Sequence, residues 1–217
     1  MTRITGDFEL AVKETSSILA IRGRVLPSTT DQVKLQAELE DGTFAEGETS
    51  IVAAAAPIKY VMLHPSTVKP LDEALQAIEM ADCVVLGPGS VYTSIVPNLL
   101  VRGVSEAIEA SDAVKIYVCN VMTQPGETDG YSASDHVRAI AKHAERKVFH
   151  HVLVNDTRPV KELLDKYANE NQYFVEPDAA KIRDMGYRPI VGDYISQTDV
   201  VRHDPQKLAD AIFRLVC

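Results

Sequence analysis

Three loops of this sequence carry the residue types that could bind a ligand or take part in chemistry, and the first spans residues 87–98. Gly87 and Gly89 would let the backbone approach a ligand closely, and the proline between them fixes the bend. Backbone N–H groups of Gly89 and Ser90, at a predicted helix start, suit a phosphate or carboxylate. A turn that only caps the helix is the alternative. Neutral hydroxyl donors in this loop belong to Ser90, Tyr92, Thr93 and Ser94.

The second loop, residues 119–131, is rich in amide, hydroxyl and carboxylate side chains. Amides and hydroxyls at this density can read a sugar or a base, and Glu127 or Asp129 could bind a cation or act as a general base. A solvated turn punctuated by Asp129 and Gly130 is the alternative. The loop exceeds the roughly two to six residues usual between a strand and a helix, which favours function. Its polar side chains are those of Asn120, Thr123, Gln124, Glu127, Thr128 and Asp129.

The third segment, residues 192–204, places Arg202 shortly before a predicted helix. Asp204 as the N-cap and Pro205 at the first helical position account for those two residues structurally. Arg202 has no such role, so it could either reach a phosphate or lie on the surface as an ordinary arginine.

Composition and charge exclude several classes of protein. The chain of 217 residues is 46% hydrophobic, enough for a sizeable core, and its net charge of -9 predicts no nucleic-acid partner. A signal-peptide pattern and an apolar run of membrane-spanning length are both missing, so we expect a cytoplasmic protein without a membrane partner. Cys83, Cys119 and Cys217 show no disulfide framework, and the histidines have no metal-ligand spacing. We therefore predict no structural metal and no cofactor.

The elements that must position these loops follow from the hydrophobic periodicity. Residues 4–19 read as an apolar helix, and residues 33–56 as a β-hairpin insertion turning at Asp41–Gly42. From residue 70 helices and strands alternate to the C-terminus, with a short strand expected at 173–177. We predict one α/β domain over 1–217 with a Rossmann-like, doubly wound, mainly parallel sheet and helices on both faces. Ligands should bind beyond the carboxyl ends of its strands.

The loops together resemble one known family. The stretches GPGSVYTSIVPNLLV and IYVCNVMTQPGETDGYS, with ITGDF, RGRVLP, AELEDG and RHDPQKLA, are similar to the gluconeogenesis factor family (YvcK-like, UPF0052). That family is a branch of the 2-phospho-L-lactate transferase (CofD-like) superfamily. The family's N-terminal GGGTG, ADDGGSSG and GNL segments do not occur here. We therefore expect the chain to represent the C-terminal two-thirds of a longer domain, with an uncovered sheet edge that favours a homo-oligomer.

The resemblance implies a Rossmann-like protein that binds a nucleotide sugar, UDP-N-acetylglucosamine in characterised members. The implied role is control of cell shape during growth on gluconeogenic carbon sources, without an established reaction. Carried over to this sequence, the expected ligand contacts are Gly87, Gly89, Ser90, Thr93, Ser94, Asn98, Asn120, Thr123, Gln124, Thr128 and Arg202.

Two other functions are compatible with the same residues. One is a transferase that moves a phospholactyl-type group from a nucleotide-activated donor, with Asp129 or Glu127 as base and Mg²⁺ bridging phosphates. The other is a protein interaction module, in which acidic residues of 33–52 dock a partner. An acidic face is more often simply solvated. The acidic residues are Glu38, Glu40, Asp41, Glu46 and Glu48.

Overall fold

The computed structural model describes residues 23–54 and 56–217, so the helix predicted over 4–19 lies outside the described residues. The hairpin is confirmed: β1 (Lys34–Leu39) pairs antiparallel with β2 (Phe44–Glu46). The turn between them contains Gly42 at φ 82°. β3 (Ile58–His64) pairs with the other side of β1, so the hairpin becomes part of a three-stranded antiparallel sheet of order β2-β1-β3.

The second half of the segment predicted as a hairpin is helical. Gly47, at φ 86°, ends β2, and its carbonyl accepts the first helical hydrogen bond from Ile51 at 3.0 Å. Helix α1 (Glu48–Ala53) follows and buries Ile51 completely. The prediction over 33–56 was therefore right for the strands and wrong for residues 48–53, which form a helix that packs Ile51 into the core.

The main sheet is parallel, as the alternation of helices and strands predicted. It contains β4 (Cys83–Leu86), β5 (Val114–Val118), β6 (His151–Asn155) and β7 (Arg188–Gly192), in the order β4-β5-β6-β7. The strand predicted at 173–177 is wrong, because only Phe174 forms an isolated bridge, to Met122.

Helices cover both faces of this sheet, which confirms the predicted α/β architecture. Tyr117 of β5 joins a core with Ile140 and Ile182, whereas its neighbour Ile116 packs with Leu208 on the opposite face. Successive strand residues point to opposite faces, so each strand serves two cores. The helices are α2 (Asp72–Glu79), α3 (Val96–Leu99), α4 (Val104–Ala110), α5 (Ala133–Ala144), α6 (Lys161–Ala168), α7 (Ala179–Asp184) and α8 (Pro205–Val216), and a π-helical turn, Val91–Ile95, precedes α3.

A short antiparallel pair, β8 (Ile195–Gln197) and β9 (Val201–His203), connects the main sheet to α8. The Asp204 carboxylate accepts hydrogen bonds from the N–H groups of Gln206 at 2.9 Å and Lys207 at 3.1 Å, which confirms the predicted N-cap. Within residues 23–54 and 56–217, none of the helices has both the length and the apolar character to cross a bilayer.

Candidate functional site

The first two loops meet beyond the carboxyl ends of neighbouring strands. β4 and β5 run parallel with Leu86 opposite Tyr117, so the loops that follow them leave the same edge of the sheet. Gly87 at φ 78° starts the first loop, where an added Cβ would lie 3.1 Å from the Val118 carbonyl oxygen and 3.2 Å from Ile95 Cδ1. This glycine therefore serves close packing of the loop on β5.

Two amide side chains connect the loops. The Asn120 Oδ1 accepts the N–H of Gly89 at 3.3 Å, and its Nδ2 donates to the Gly89 carbonyl at 3.0 Å. The same Nδ2 donates to Gln124 Oε1 at 3.3 Å, and Gln124 Nε2 donates to Ser90 Oγ at 2.8 Å. The Gly89 N–H, which the sequence indicates as a candidate donor to a phosphate or carboxylate, is therefore used inside the protein. The Ser90 N–H donates to no residue in the described ranges.

The buried carboxylate of Glu127 makes a second connection between the first and second loops. Glu127 is 5% exposed, and it accepts the backbone N–H of Tyr92 at 3.1 Å and the Thr93 hydroxyl at 2.8 Å. Burial raises the pKa of Glu127, and the hydrogen bonds from Thr93 and Tyr92 offset part of that rise. The carboxylate lies against the first loop and holds it to the second.

The two carboxylates proposed for a transferase are not arranged to hold Mg²⁺ together. Both oxygens of Glu127 accept hydrogen bonds inside the protein, and Asp129 Oδ2 accepts the N–H of Gly126 at 2.7 Å. Among the residues that the structure describes, no three His, Cys, Asp or Glu side chains group in a way that could hold a metal. Hard cations need several open oxygen ligands, and these residues do not fit that requirement.

The second loop rests on helix α1. Gly126 has φ 79°, and a Cβ added there would lie 2.3 Å from the Val52 carbonyl oxygen. Only glycine permits this approach of two backbones. The insertion that contains β1, β2 and α1 therefore supports the loop that carries Asn120 and Gln124.

A cavity of about 420 Å³ lies between these loops and the β8–β9 segment, and we call it the loop cavity. Its volume is within the range of small-molecule sites. Of the predicted ligand contacts it is lined by Gly89, Ser90, Ser94, Asn120, Thr123, Gln124 and Arg202, and the remaining lining residues are Val121, Met122, Tyr167, Gln172, Val201 and His203.

The remaining predicted contacts lie elsewhere. Gly87 and Asn98 line a neighbouring groove of about 570 Å³ beside β4, which Gly89 and Ser94 also line. Thr93 and Thr128 line neither space. The Thr128 hydroxyl is fully buried and accepts the N–H of Gln124 at 2.9 Å, so it stabilises the second loop from inside.

The third segment places the guanidinium group of Arg202 and the imidazole ring of His203 at the loop cavity. Arg202 is exposed, and its guanidinium donates no hydrogen bond to the described part of the chain. The ring of His203 lies with Nε2 3.2 Å from the Cys119 carbonyl oxygen, so Nε2–H donates. Burial lowers the pKa of His203, which keeps the ring neutral near pH 7 and its Nδ1 without a proton.

Tyr167 and Gln172 line the cavity but were not predicted from the sequence. They reach it because Thr123 and Tyr173 exchange two hydrogen bonds, Thr123 N–H to the Tyr173 carbonyl at 2.7 Å and Tyr173 N–H to the Thr123 hydroxyl at 2.9 Å. The Tyr167 hydroxyl also accepts the Val201 N–H at 3.1 Å. No local sequence pattern predicts that Tyr167 and Gln172 line the cavity, because their position depends on hydrogen bonds between residues fifty positions apart.

The fold and cavity define a Rossmann-like α/β protein with a polar cavity where such sheets hold ligands. Residues 1–195 match the family model described as 2-phospho-L-lactate transferase CofD. The gluconeogenesis factor of Halalkalibacterium halodurans is 47% identical over 215 residues, which are 98% of this chain and 66% of that protein. The gluconeogenesis factor of Bacillus subtilis is 42% identical over 217 residues, 100% of this chain and 68% of that protein.

A crystal structure shows the same fold. A member of the UPF0052 family from Bacillus halodurans superposes with a TM-score of 0.93 and 46% identity, covering 98% of this chain and 69% of that one. The chain therefore belongs to the gluconeogenesis factor family, within the CofD family. It spans about two thirds of the length of the H. halodurans and B. subtilis relatives, and 48% of the putative gluconeogenesis factor of a Nostoc species.

Proposed function

We propose that the loop cavity binds a nucleotide sugar of the UDP-N-acetylglucosamine type and that the chain acts as a cytoplasmic regulatory protein. Its role would be that of a gluconeogenesis factor, needed for cell shape during growth on gluconeogenic carbon sources. The observation that carries the proposal is that Arg202 lines the same cavity as the hydroxyls of Ser90 and Ser94. A guanidinium and neutral donors on one cavity suit a diphosphate.

The other cavity residues suit a polar, uncharged group. Gln172, whose side-chain amide donates to no described residue, and the neutral His203 can exchange hydrogen bonds with sugar hydroxyls or a base edge. The names of the relatives support the physiological part of the proposal, because both the H. halodurans and the B. subtilis proteins are called gluconeogenesis factors.

Binding can be tested by calorimetry with the 217-residue chain. We expect UDP-N-acetylglucosamine to bind, UDP to bind more weakly, and N-acetylglucosamine alone to give no heat. Arg202→Ala should lower affinity at least about tenfold, because a charge-assisted hydrogen bond contributes about 1.5–3 kcal/mol. The exposed Arg183→Ala is the matched control and should bind like the parent chain. Absence of binding by the parent chain, or full affinity in Arg202→Ala, would contradict the proposal.

The transferase function remains a second candidate because the matching family model is named for that activity. Turnover of a nucleotide-linked lactate with a deazaflavin acceptor would support it, and loss of that turnover in Asp129→Asn would assign the base. The Glu127 side chain is buried, which favours a ligand-binding function over a transferase reaction with Glu127 as the base.

The interaction-module function has less support. Lysines already pair with two acidic residues of the insertion, Lys34 with Glu46 at 2.7 Å and Lys59 with Glu38 at 2.5 Å. These pairs reduce the negative field that a basic partner would recognise.

A further inference from the structure

We propose that Asn120 and Gln124 act as positioning residues that fix the direction of the Ser90 hydroxyl, so that Ser90 donates its proton to an anionic oxygen in the loop cavity. The inference rests on the proposed function in that the cavity must hold a phosphate-bearing ligand. It assigns the two amides a role other than direct ligand contact, and it makes Ser90 the residue that selects an oxygen acceptor.

The donors and acceptors of this hydrogen-bond network are fixed by the backbone of Gly89. The N–H of Gly89 can only donate and its carbonyl can only accept. Asn120 Oδ1 lies 3.3 Å from that N–H, and Asn120 Nδ2 lies 3.0 Å from that carbonyl oxygen. A flipped amide would bring two donors together and two acceptors together, so Gly89 sets the orientation of Asn120.

The orientation is passed on to Gln124. The second hydrogen of Asn120 Nδ2 points to Gln124 Oε1 at 3.3 Å, which turns the amide nitrogen of Gln124 towards Ser90. Gln124 Nε2 and Ser90 Oγ are 2.8 Å apart. An amide nitrogen cannot accept, so the Ser90 oxygen must accept this bond.

The Ser90 proton is thereby left for another acceptor. Within residues 23–54 and 56–217, no protein group accepts it, and Ser90 lines the loop cavity. Hydrogen bonds in a chain polarise one another, which strengthens the last donor. Such a donor favours a phosphate or another acceptor-only oxygen over an ammonium or amide N–H of a ligand.

The neighbouring hydroxyl has the opposite arrangement. Thr93 gives its proton to the carboxylate of Glu127 at 2.8 Å, and it does not line the cavity. Two hydroxyls of one loop are therefore separated in role by the residue each meets on the second loop, an amide donor for Ser90 and a carboxylate acceptor for Thr93.

A double-mutant cycle on the 217-residue chain tests the coupling, with UDP-N-acetylglucosamine and inorganic pyrophosphate as probes in calorimetry. We expect Ser90→Ala to weaken binding about tenfold and Gln124→Met about three- to tenfold. The double variant should be no more than about twofold weaker than Ser90→Ala, because Gln124 acts through Ser90. The exposed Ser50→Ala and Gln206→Met are matched controls and should bind like the parent chain.

Gln124→Glu tests the direction of the bond. Its carboxylate would accept the Ser90 proton and turn the serine into an acceptor, so binding should fall further than in Gln124→Met. Protonation of the new carboxyl restores a donor, so the loss should shrink as the pH falls from about 8 to about 5. Repulsion between the new carboxylate and the anionic ligand would persist with Ser90→Ala in the background, whereas an effect that acts through Ser90 requires the extra loss to disappear in that double variant. Should Gln124→Met fail to fold, Ser90→Ala and Gln124→Glu carry the same test.

Each outcome separates this inference from the proposed function. If the parent chain binds the nucleotide sugar but the Ser90 and Gln124 losses add, or Ser90→Ala has no effect, the inference is overturned and the proposed function stands. Pyrophosphate binding with the expected coupling, but no nucleotide-sugar binding, would overturn the proposed function and support the inference. Binding of neither probe would overturn both.

Discussion

The hydroxyl of Thr93 donates to the carboxylate of Glu127 at 2.8 Å, and this bond joins the loop after β4 to the loop after β5. The same carboxylate accepts the Tyr92 N–H, so both of its oxygens hold the two loops together. The hydroxyl of the next residue, Ser94, is exposed on the cavity side. Adjacent polar residues of one loop thus have separate roles.

Thr93→Val should therefore lower mainly the stability of the fold, and Ser94→Ala mainly the affinity for the ligand. Thr93→Val removes a bond to a buried carboxylate, and the free energy of unfolding should fall by about 1–3 kcal/mol with little change in ligand affinity. Ser94→Ala should lower the affinity for UDP-N-acetylglucosamine severalfold and leave stability nearly unchanged. Urea denaturation and calorimetry on both variants check the pair. Loss of binding in a fully stable Thr93→Val would show that Thr93 meets the ligand.

Glu127→Gln should change how stability depends on pH. Burial raises the pKa of Glu127, so the folded chain holds this proton more tightly than the unfolded chain does. The contribution of this residue to stability should then fall as the pH rises from the ordinary glutamate pKa of about 4.3 through the raised value. The variant lacks this titration, so the stability difference from the parent chain should be largest near pH 4 and shrink towards neutrality.

Urea denaturation from about pH 4 to 7 measures this difference, with the exposed Glu162→Gln as the matched control. A difference that grows with pH would mean that hydrogen bonds to the charged form of Glu127 outweigh its burial.

Gly126→Ala and Gly130→Ala separate a contact from a backbone conformation. Both glycines have positive φ, 79° and 71°, but a Cβ at Gly130 would meet nothing within 4 Å. Gly130→Ala should cost about 1 kcal/mol of unfolding free energy for the conformation alone. Gly126→Ala adds a clash with the Val52 carbonyl and should cost at least about 2 kcal/mol more. Equal losses in chemical denaturation would show that α1 does not support the second loop.

His143 connects α5 to β3 and should make the fold sensitive to acid. Its Nδ1–H donates to the Ala139 carbonyl at 2.7 Å, and its Nε2 accepts the Val61 N–H at 3.0 Å. Burial lowers the pKa of His143, and the nearby Lys142 lowers it further. The unfolded chain therefore binds the proton more tightly, and the stabilisation is lost as the pH falls below about 6.5.

His143→Phe keeps a ring stacked near Tyr60 but leaves the Val61 N–H without its acceptor. We expect a loss of about 1–3 kcal/mol at pH 7 and a smaller dependence of stability on pH below 6.5. The exposed His64→Gln is the control. An unchanged acid dependence in His143→Phe would assign it to other buried histidines.

The architecture could be predicted because its signals are local. Alternation within 34–39, the Gly42 turn and the Asp204 cap each depend on residues close in the chain, and the structure contains all three. The predictions for residues 48–53 and 173–177 were wrong because the structure there depends on residues distant in the chain. Ile51 packs into the main core from helix α1, among residues distant in the chain, and Phe174 pairs only with Met122, fifty-two residues away in the chain.

By itself, the sequence determined the α/β class, the family and the loops that meet beyond the strand ends, because periodicity and turn residues act over a few positions. Only the tertiary structure decided which polar groups are free. Gly89 meets Asn120 across 31 positions, and Thr93 meets Glu127 across 34. A hydroxyl or amide has few hydrogen-bonding positions, so its distant partner determines whether it can still reach a ligand.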